Sequence, residues 1–198
     1  APKQYVYLAH VPAADAVVLS SDALEPALTA RARELFPGAG VPVYMVYGPA
    51  SAEAEREAQE ASAALQSASG ANGGGASGVS ASPAVIEVRV RGVDGGERVI
   101  RMADAGGASR WRAQTLLTKE PETIAWLDRV RPGEVVWDVG ANVGCYTLYA
   151  AVARGARVVA FEPGAANYAA LNENVRLSGV GDRVTALCVA LAERTGLA

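Results

Sequence analysis

Cysteine is scarce in this chain of 198 residues: Cys145 and Cys188 are the two present, with no CxxC spacing. Two thiols cannot make a disulfide framework, which points to a reducing compartment. Histidine is scarcer still. His10 stands alone and is read as a structural or solvent-facing residue, and no metal site is expected. Nor is one charge in excess. The chain has 18 basic and 21 acidic residues, a net of −3, which argues against a bulk nucleic-acid binder. Long apolar runs are missing as well. The longest, Val139 to Ala153, contains Asn142 and is bounded by Asp138 and Arg154. It falls short of the roughly 18 residues that a membrane span needs. The chain opens on alanine with no basic stretch ahead of an apolar one, so no targeting peptide is read in it, and prior cleavage of one stays open. Together these absences predict a soluble, cytoplasmic protein.

What the chain does have is apolar material. Hydrophobic residues make up 51% of it, enough for a sizeable core and too many for a wholly disordered protein. Three zones differ in composition. Residues 1–50 read as an α/β extension of unassigned role: apolar runs at Tyr5–Leu8 and Val17–Leu19, a helix carrying Leu24, Leu28 and Leu35, then a strand at Val43–Tyr47. Residues 51–83 begin as a helix-favouring but polar segment and dissolve into a Gly/Ser/Ala-rich tether. Residues 84–198 carry the information. Ile86, Val88 and Val90 alternate with charged residues, and Asp94-Gly-Gly turns the chain towards Val99 and Ile100, which predicts a hairpin. Pro121 suits the first turn of a short helix burying Ile124, Leu127 and Val130. Strands then alternate with helices: Val135–Val139, a helix to about Gly155, Arg157–Phe161, a helix burying Tyr168, Leu171 and Val175, and Val184–Leu191. That alternation predicts a parallel sheet of the α/β class.

The candidate site lies at the tips of the first two of these strands. Asp138-Val-Gly140-Ala-Asn142-Val-Gly144 follows the first, where open α/β sheets bind nucleotide-like ligands. The dinucleotide fingerprint fails at two of its three glycine positions, which hold Asp138 and Val143. A carboxylate there repels a pyrophosphate and suits a cationic group such as an α-ammonium. Gly140 and Gly144 allow a close approach of backbone to ligand. Glu162 ends the second strand, 22 residues after Gly140, near the spacing expected for an acid that holds ribose hydroxyls. The two acids describe a nucleoside with a positive charge. S-adenosylmethionine fits; NAD and ATP do not. Cys145, at the start of the following helix, reads as a small filler despite a position that favours a thiolate.

VVWDVGANVGCYTLYAA followed by VVAFEPGAANYAALNENVRLSG resembles the FkbM-type S-adenosylmethionine-dependent methyltransferases, and TLLTKEPETIAWLDRVRPGE resembles the segment preceding them. The resemblance spans about Val88 to Leu191. It implies a Rossmann-like class I fold and methyl transfer to a hydroxyl of a sugar, lipid or natural product. It places Asp138, Gly140, Asn142 and Gly144 on the methionine side of the cofactor and Glu162 on its ribose. Glu120 closes the pocket from outside, or else merely caps the helix that begins at Pro121. No general base is assigned. The family's sheet, ordered 3-2-1-4-5-7-6, is matched through strand three only, so the domain reads as incomplete. Strand 135–139 is then an open edge, apolar on both faces, which soluble proteins avoid. Three explanations are open: a piece of a longer enzyme, which is preferred; a partner chain covering the edge; or a strand of the first zone, Val43–Tyr47 the best candidate. Against the methyltransferase stands a non-catalytic, methyltransferase-like structural subunit of a larger assembly.

Overall fold

A strand apolar on both faces has to lie inside a sheet, because either exposed face or an unpaired ladder costs free energy. The computed structural model describes residues 84–192 and the strand segments 4–7, 16–19, 43–45 and 196–197. In it the requirement is met from within the chain. In chain order the elements are β1 (Gln4–Tyr7), β2 (Ala16–Leu19), β3 (Val43–Met45), β4 (Val85–Arg91), β5 (Glu97–Ala103), α1 (Gly107–Thr115), α2 (Pro121–Leu127), β6 (Val135–Val139), α3 (Cys145–Ala153), β7 (Arg157–Phe161), α4 (Ala165–Ser178), β8 (Val184–Leu187), β9 (Ala190–Ala192) and β10 (Gly196–Leu197). Five strands form one sheet in the order β3-β2-β6-β7-β8, parallel throughout.

The open edge expected at strand 135–139 is therefore absent. β2 lies along it, with Ala16 opposite Val136 and Leu19 opposite Val139, and no partner chain is needed there. The strand expected to fill the place, Val43–Tyr47, sits one position further out as β3 and pairs with β2. The central place explains the composition: Val136 to Val139 and Val158 to Phe161 are all buried.

The strand expected over Val184–Leu191 is also corrected. It breaks at Cys188–Val189, and its second half, β9, pairs in parallel with β1 in a separate sheet ordered β10-β1-β9. The cause lies in β7. Glu162 N–H donates to Leu187 O at 3.0 Å, and the next N–H on that side, Gly164, is taken at 2.7 Å by the Glu162 carboxylate instead of extending the ladder.

The hairpin forms as read, β4 antiparallel to β5 from Val85 opposite Ala103 to Arg91 opposite Glu97. Its apolar face, with Val90, Ile100 and Met102 buried, packs on α3 and α4, which lie in turn on the parallel sheet. That placement explains why α3 is buried almost all round, Leu148, Ala150 and Ala151 being fully enclosed. α2 begins with Pro121 as expected; Leu127 and Val130 are buried and Ile124 is half-buried. α4 buries Leu171 and Val175, while Tyr168 is half-buried and Asn174 takes a core position. α1 had no counterpart in the sequence reading: only Ala113 and the following Leu116 supply buried apolar groups there. His10, the helix over Leu24–Leu35 and the segment 51–83 lie outside the described residues. Among the described residues no helix is long and apolar enough to cross a membrane, and no cluster of His, Cys, Asp or Glu could hold a metal ion.

Candidate functional site

β6 delivers the chain into a loop, Gly140–Gly144, that needs left-handed backbone three times. Gly140 has φ +84°, Asn142 +53° and Gly144 +91°. Asn142 is the non-glycine residue most suited to such a turn, since its short amide tolerates the αL region. Gly144 serves two purposes: it caps α3 in that conformation, and a Cβ on it would lie 2.4 Å from Leu171 Cδ1. Its place in the sequence pattern is accounted for by helix packing rather than by ligand approach.

The loop is held from three sides. Gly140 and Ala141 N–H both donate to Phe161 O, at 2.8 and 3.0 Å. Glu162, 6% exposed, accepts from Asn142 N–H at 2.8 Å through one oxygen and from Gly164 N–H at 2.7 Å through the other. Asn174 Nδ2 donates to Val143 O at 2.8 Å. Asp138, 1% exposed, accepts the Thr147 hydroxyl at 2.6 Å, so its side chain turns into the core and ties β6 to α3.

A small open cleft lies against this loop. One wall is Gly140 to Val143 with Cys145 and Tyr146; the other is Arg112, Thr115, Leu116 and Lys119 from α1 and the turn after it. Of the five residues singled out, Gly140 and Asn142 are on the wall. Asp138, Gly144 and Glu162 are not; they shape the loop that is. Asp138 lies on β6, and Glu162 follows the last residue of the adjacent parallel strand β7, with Val139 opposite Phe161.

Cys145 is half-buried on the cleft wall, its Sγ 3.9 Å from Arg112 O. Glu120 is at the N-cap of α2, yet its side chain makes no capping hydrogen bond. It turns to the start of α3 instead. Its Oε2 accepts from Tyr146 Oη at 2.8 Å and from Thr123 Oγ1 at 3.4 Å, and Lys119 Nζ stands 3.5 Å from Oε1. Burial pushes this carboxyl above its ordinary pKa, outweighing the opposing pull of Tyr146, Lys119 and Thr123. Sequence reasoning did not find Lys119, Tyr146, Arg112 or Asn174, because their roles arise from α1 and α2 folding back over the loop and leave no local pattern.

No family model matches the chain. It is 46% identical over 56 residues to the 31-O-demethyl-FK506 methyltransferase FkbM of Streptomyces tacrolimicus, a stretch that covers 28% of this chain and 22% of that protein. The expected resemblance to an FkbM-type methyltransferase is thus found, and the match spans about a fifth of the relative's length. Two solved structures are also similar. TYW2 of Pyrococcus horikoshii, in complex with MeSAdo, shares 31% identity over 35% of this chain and 26% of its own, with a TM-score of 0.34. PH0793 of the same organism, a provisionally assigned transferase, shares 20% identity over 91% of this chain and 54% of its own, with a TM-score of 0.37. At these scores the fold rests on the chain's own strand order.

Proposed function

We propose that the chain carries the cofactor half of an S-adenosylmethionine-dependent methyltransferase acting on a hydroxyl oxygen of a sugar, lipid or natural product. The observation that carries this reading is Glu162, held at the carboxyl tip of β7 by two backbone N–H groups beside a glycine loop at the tip of β6. That is where doubly wound sheets bind ligands. Neighbours β7 and β8 run to one side of β6 and β2 and β3 to the other, so the order reverses there.

The residues present fit such a cofactor. Each Glu162 oxygen uses one lone pair on the backbone and keeps capacity for a ribose hydroxyl. Gly140 brings no Cβ to the cleft wall. Asn142 Oδ1 is buried there without a hydrogen-bond partner, an acceptor that a ligand donor would satisfy. When bound, S-adenosylmethionine supplies the activated methyl group and its own leaving group. The chain's part is to hold the donor and line up the attacking oxygen, the positioning that supplies most of the acceleration in such transfers.

Calorimetry with S-adenosylmethionine tests the reading: a folded sample that gives no heat of binding overturns it. Glu162→Ala should weaken binding by roughly 1–3 kcal/mol, the worth of hydrogen bonds to a charged group. An unchanged affinity would mean that the ribose contact is wrongly placed. β2 on the edge of strand 135–139 is also compatible with the rival reading, a non-catalytic structural subunit; the retained pair Asp138 and Glu162, which a scaffold has no reason to keep, favours the methyltransferase.

A further inference from the structure

We propose that β4 pairs with β4 of a second copy of this chain, antiparallel across a two-fold axis at Val88, so that two hairpins join into one four-stranded sheet.

The two edges of the hairpin differ. Asp104 N–H donates to Ala84 O at 2.7 Å and Gly92 N–H to Gly96 O at 2.8 Å, at the two ends of the β4–β5 ladder. Even-numbered backbone groups therefore join the two strands, and odd-numbered ones point away. On β5 the outward groups are taken by α4. Ser178 Oγ accepts from Arg101 N–H at 3.0 Å and donates to Arg101 O at 2.8 Å, and Asn174 Oδ1 accepts from Ala103 N–H. On β4 the outward groups belong to Val85, Glu87, Arg89 and Arg91, and among the described residues no strand pairs with them. The apolar face shows the same asymmetry. Ile100 and Met102 of β5 are fully buried, whereas Val88 and Ile86, opposite them on β4, are only half-buried. An open ladder beside incompletely covered apolar side chains is a template for one more strand.

The order of charges selects that strand. The outer face of β4 reads Val85, Glu87, Arg89, Arg91, with the Glu87 and Arg89 side chains 51% and 74% exposed. With the axis at Val88, Glu87 lies opposite the partner's Arg89 and Val85 opposite the partner's Arg91. On the other face Val88 meets the partner's Val88, and Ile86 meets the partner's Val90. All four outward residues then sit at hydrogen-bonded positions. Glu87 already accepts from Arg101 Nε at 2.9 Å, so a row across the strands runs Arg101, Glu87, the partner's Arg89, in alternating sign. Moving the axis to Glu87 or to Arg89 sets two carboxylates or two guanidinium groups face to face, which is destabilising. Charges that guard this edge against other strands thus leave it complementary to itself, as a two-fold contact requires. The contact is small, so the dimer is weak and depends on concentration.

Sedimentation velocity of the full chain over a concentration series tests this. The unaltered protein should show a monomer–dimer equilibrium that added salt weakens. Arg89→Glu and Glu87→Arg each set like charges opposite one another across the axis, and each variant alone should associate about tenfold more weakly or worse. The exposed pairs that they give up within the hairpin are worth little, so both should stay folded. Mixed in equal amounts, the two variants should associate again, because each presents the sign that the other lacks. A loss of fold is not restored by mixing, so recovery assigns the effect to the strand contact. The proposal is overturned if the unaltered protein is monomeric at every concentration, if either variant associates as well as it does, or if the mixture stays monomeric.

Discussion

Replacing Asn174 should be among the most damaging single changes to this fold, although the residue sits mid-helix in α4 and touches no proposed ligand. Its side chain is 1% exposed, and its amide is used at both ends. Oδ1 accepts from Ala103 N–H at 2.8 Å, at the end of β5, and Nδ2 donates to Val143 O at 2.8 Å, in the loop after β6. One amide thus joins the hairpin, α4 and the glycine loop. Asn174→Ala leaves two backbone groups without partners, at about 1–3 kcal/mol each, plus a small void. A loss of roughly 3–5 kcal/mol is expected, at the upper end for point mutants. Asn174→Asp keeps the bond from Ala103 but sets a carboxylate oxygen against the Val143 carbonyl. It should therefore cost as much through repulsion as the alanine variant costs through absence. Urea denaturation reads both as a lower midpoint at unchanged slope. A loss below about 1 kcal/mol in both variants would show that water replaces these bonds and that Asn174 does not hold the loop.

Two further changes test the loop and its neighbour. Gly144→Ala places a side chain at φ +91° and a Cβ against Leu171, so a cost of about 2–5 kcal/mol is expected. In a Leu171→Ala background the cost should shrink to the backbone part, and an additive double-mutant cycle would rule the clash out. For Glu120 the sign of the pH effect follows from burial. Its carboxyl titrates above the ordinary value of 4.5 in the folded protein, so between 4.5 and the raised value the folded state holds a proton that the unfolded chain has released. Stability from this group is therefore greatest below pH 4.5 and falls as pH rises through that window. Glu120→Gln removes this component, so the variant should gain on the unaltered protein from pH 4 to pH 8 in denaturant titrations. Parallel pH profiles would refute the assignment.

The elements that could be read from sequence were those whose patterns are local. β4 and β5 announced themselves by alternation, α2 by Pro121, and β6, β7 and their helices by apolar runs punctuated at Gly140, Gly144 and Gly155. What could not be read were partners chosen across long separations. β2 is four residues of ordinary apolar character, and nothing local says that it pairs with β6 more than 110 residues later. At the site, the pattern identified the residues but not how they act. Asp138 and Glu162 were read as ligand contacts; the structure shows both as struts of the loop, with Glu162 retaining the capacity to do more. Glu120 offered two readings, a helix cap or a pocket wall. It stands at the N-cap of α2 with no side-chain cap bond, and its carboxylate meets Tyr146, a wall of the cleft, without itself lining the cleft.

The position of the cleft follows from the same long-range pairing. A glycine loop after a strand is a weak signal alone, because many tight turns need left-handed backbone without binding anything. It becomes a ligand crevice where the neighbouring strands diverge in chain order, since the connections on either side then lead to opposite faces and leave the tip uncovered. Here that divergence is created by β2. Running parallel to β6 and ending at Leu19 opposite Val139, β2 brings its own carboxyl tip to the level at which the Gly140–Gly144 loop departs. The loop supplies the glycines and Asn142, α1 and the turn into α2 supply the charged wall, and β2 supplies the neighbouring strand that makes β6 central. A motif confined to residues 138–162 thus depends for its setting on a strand at residues 16–19.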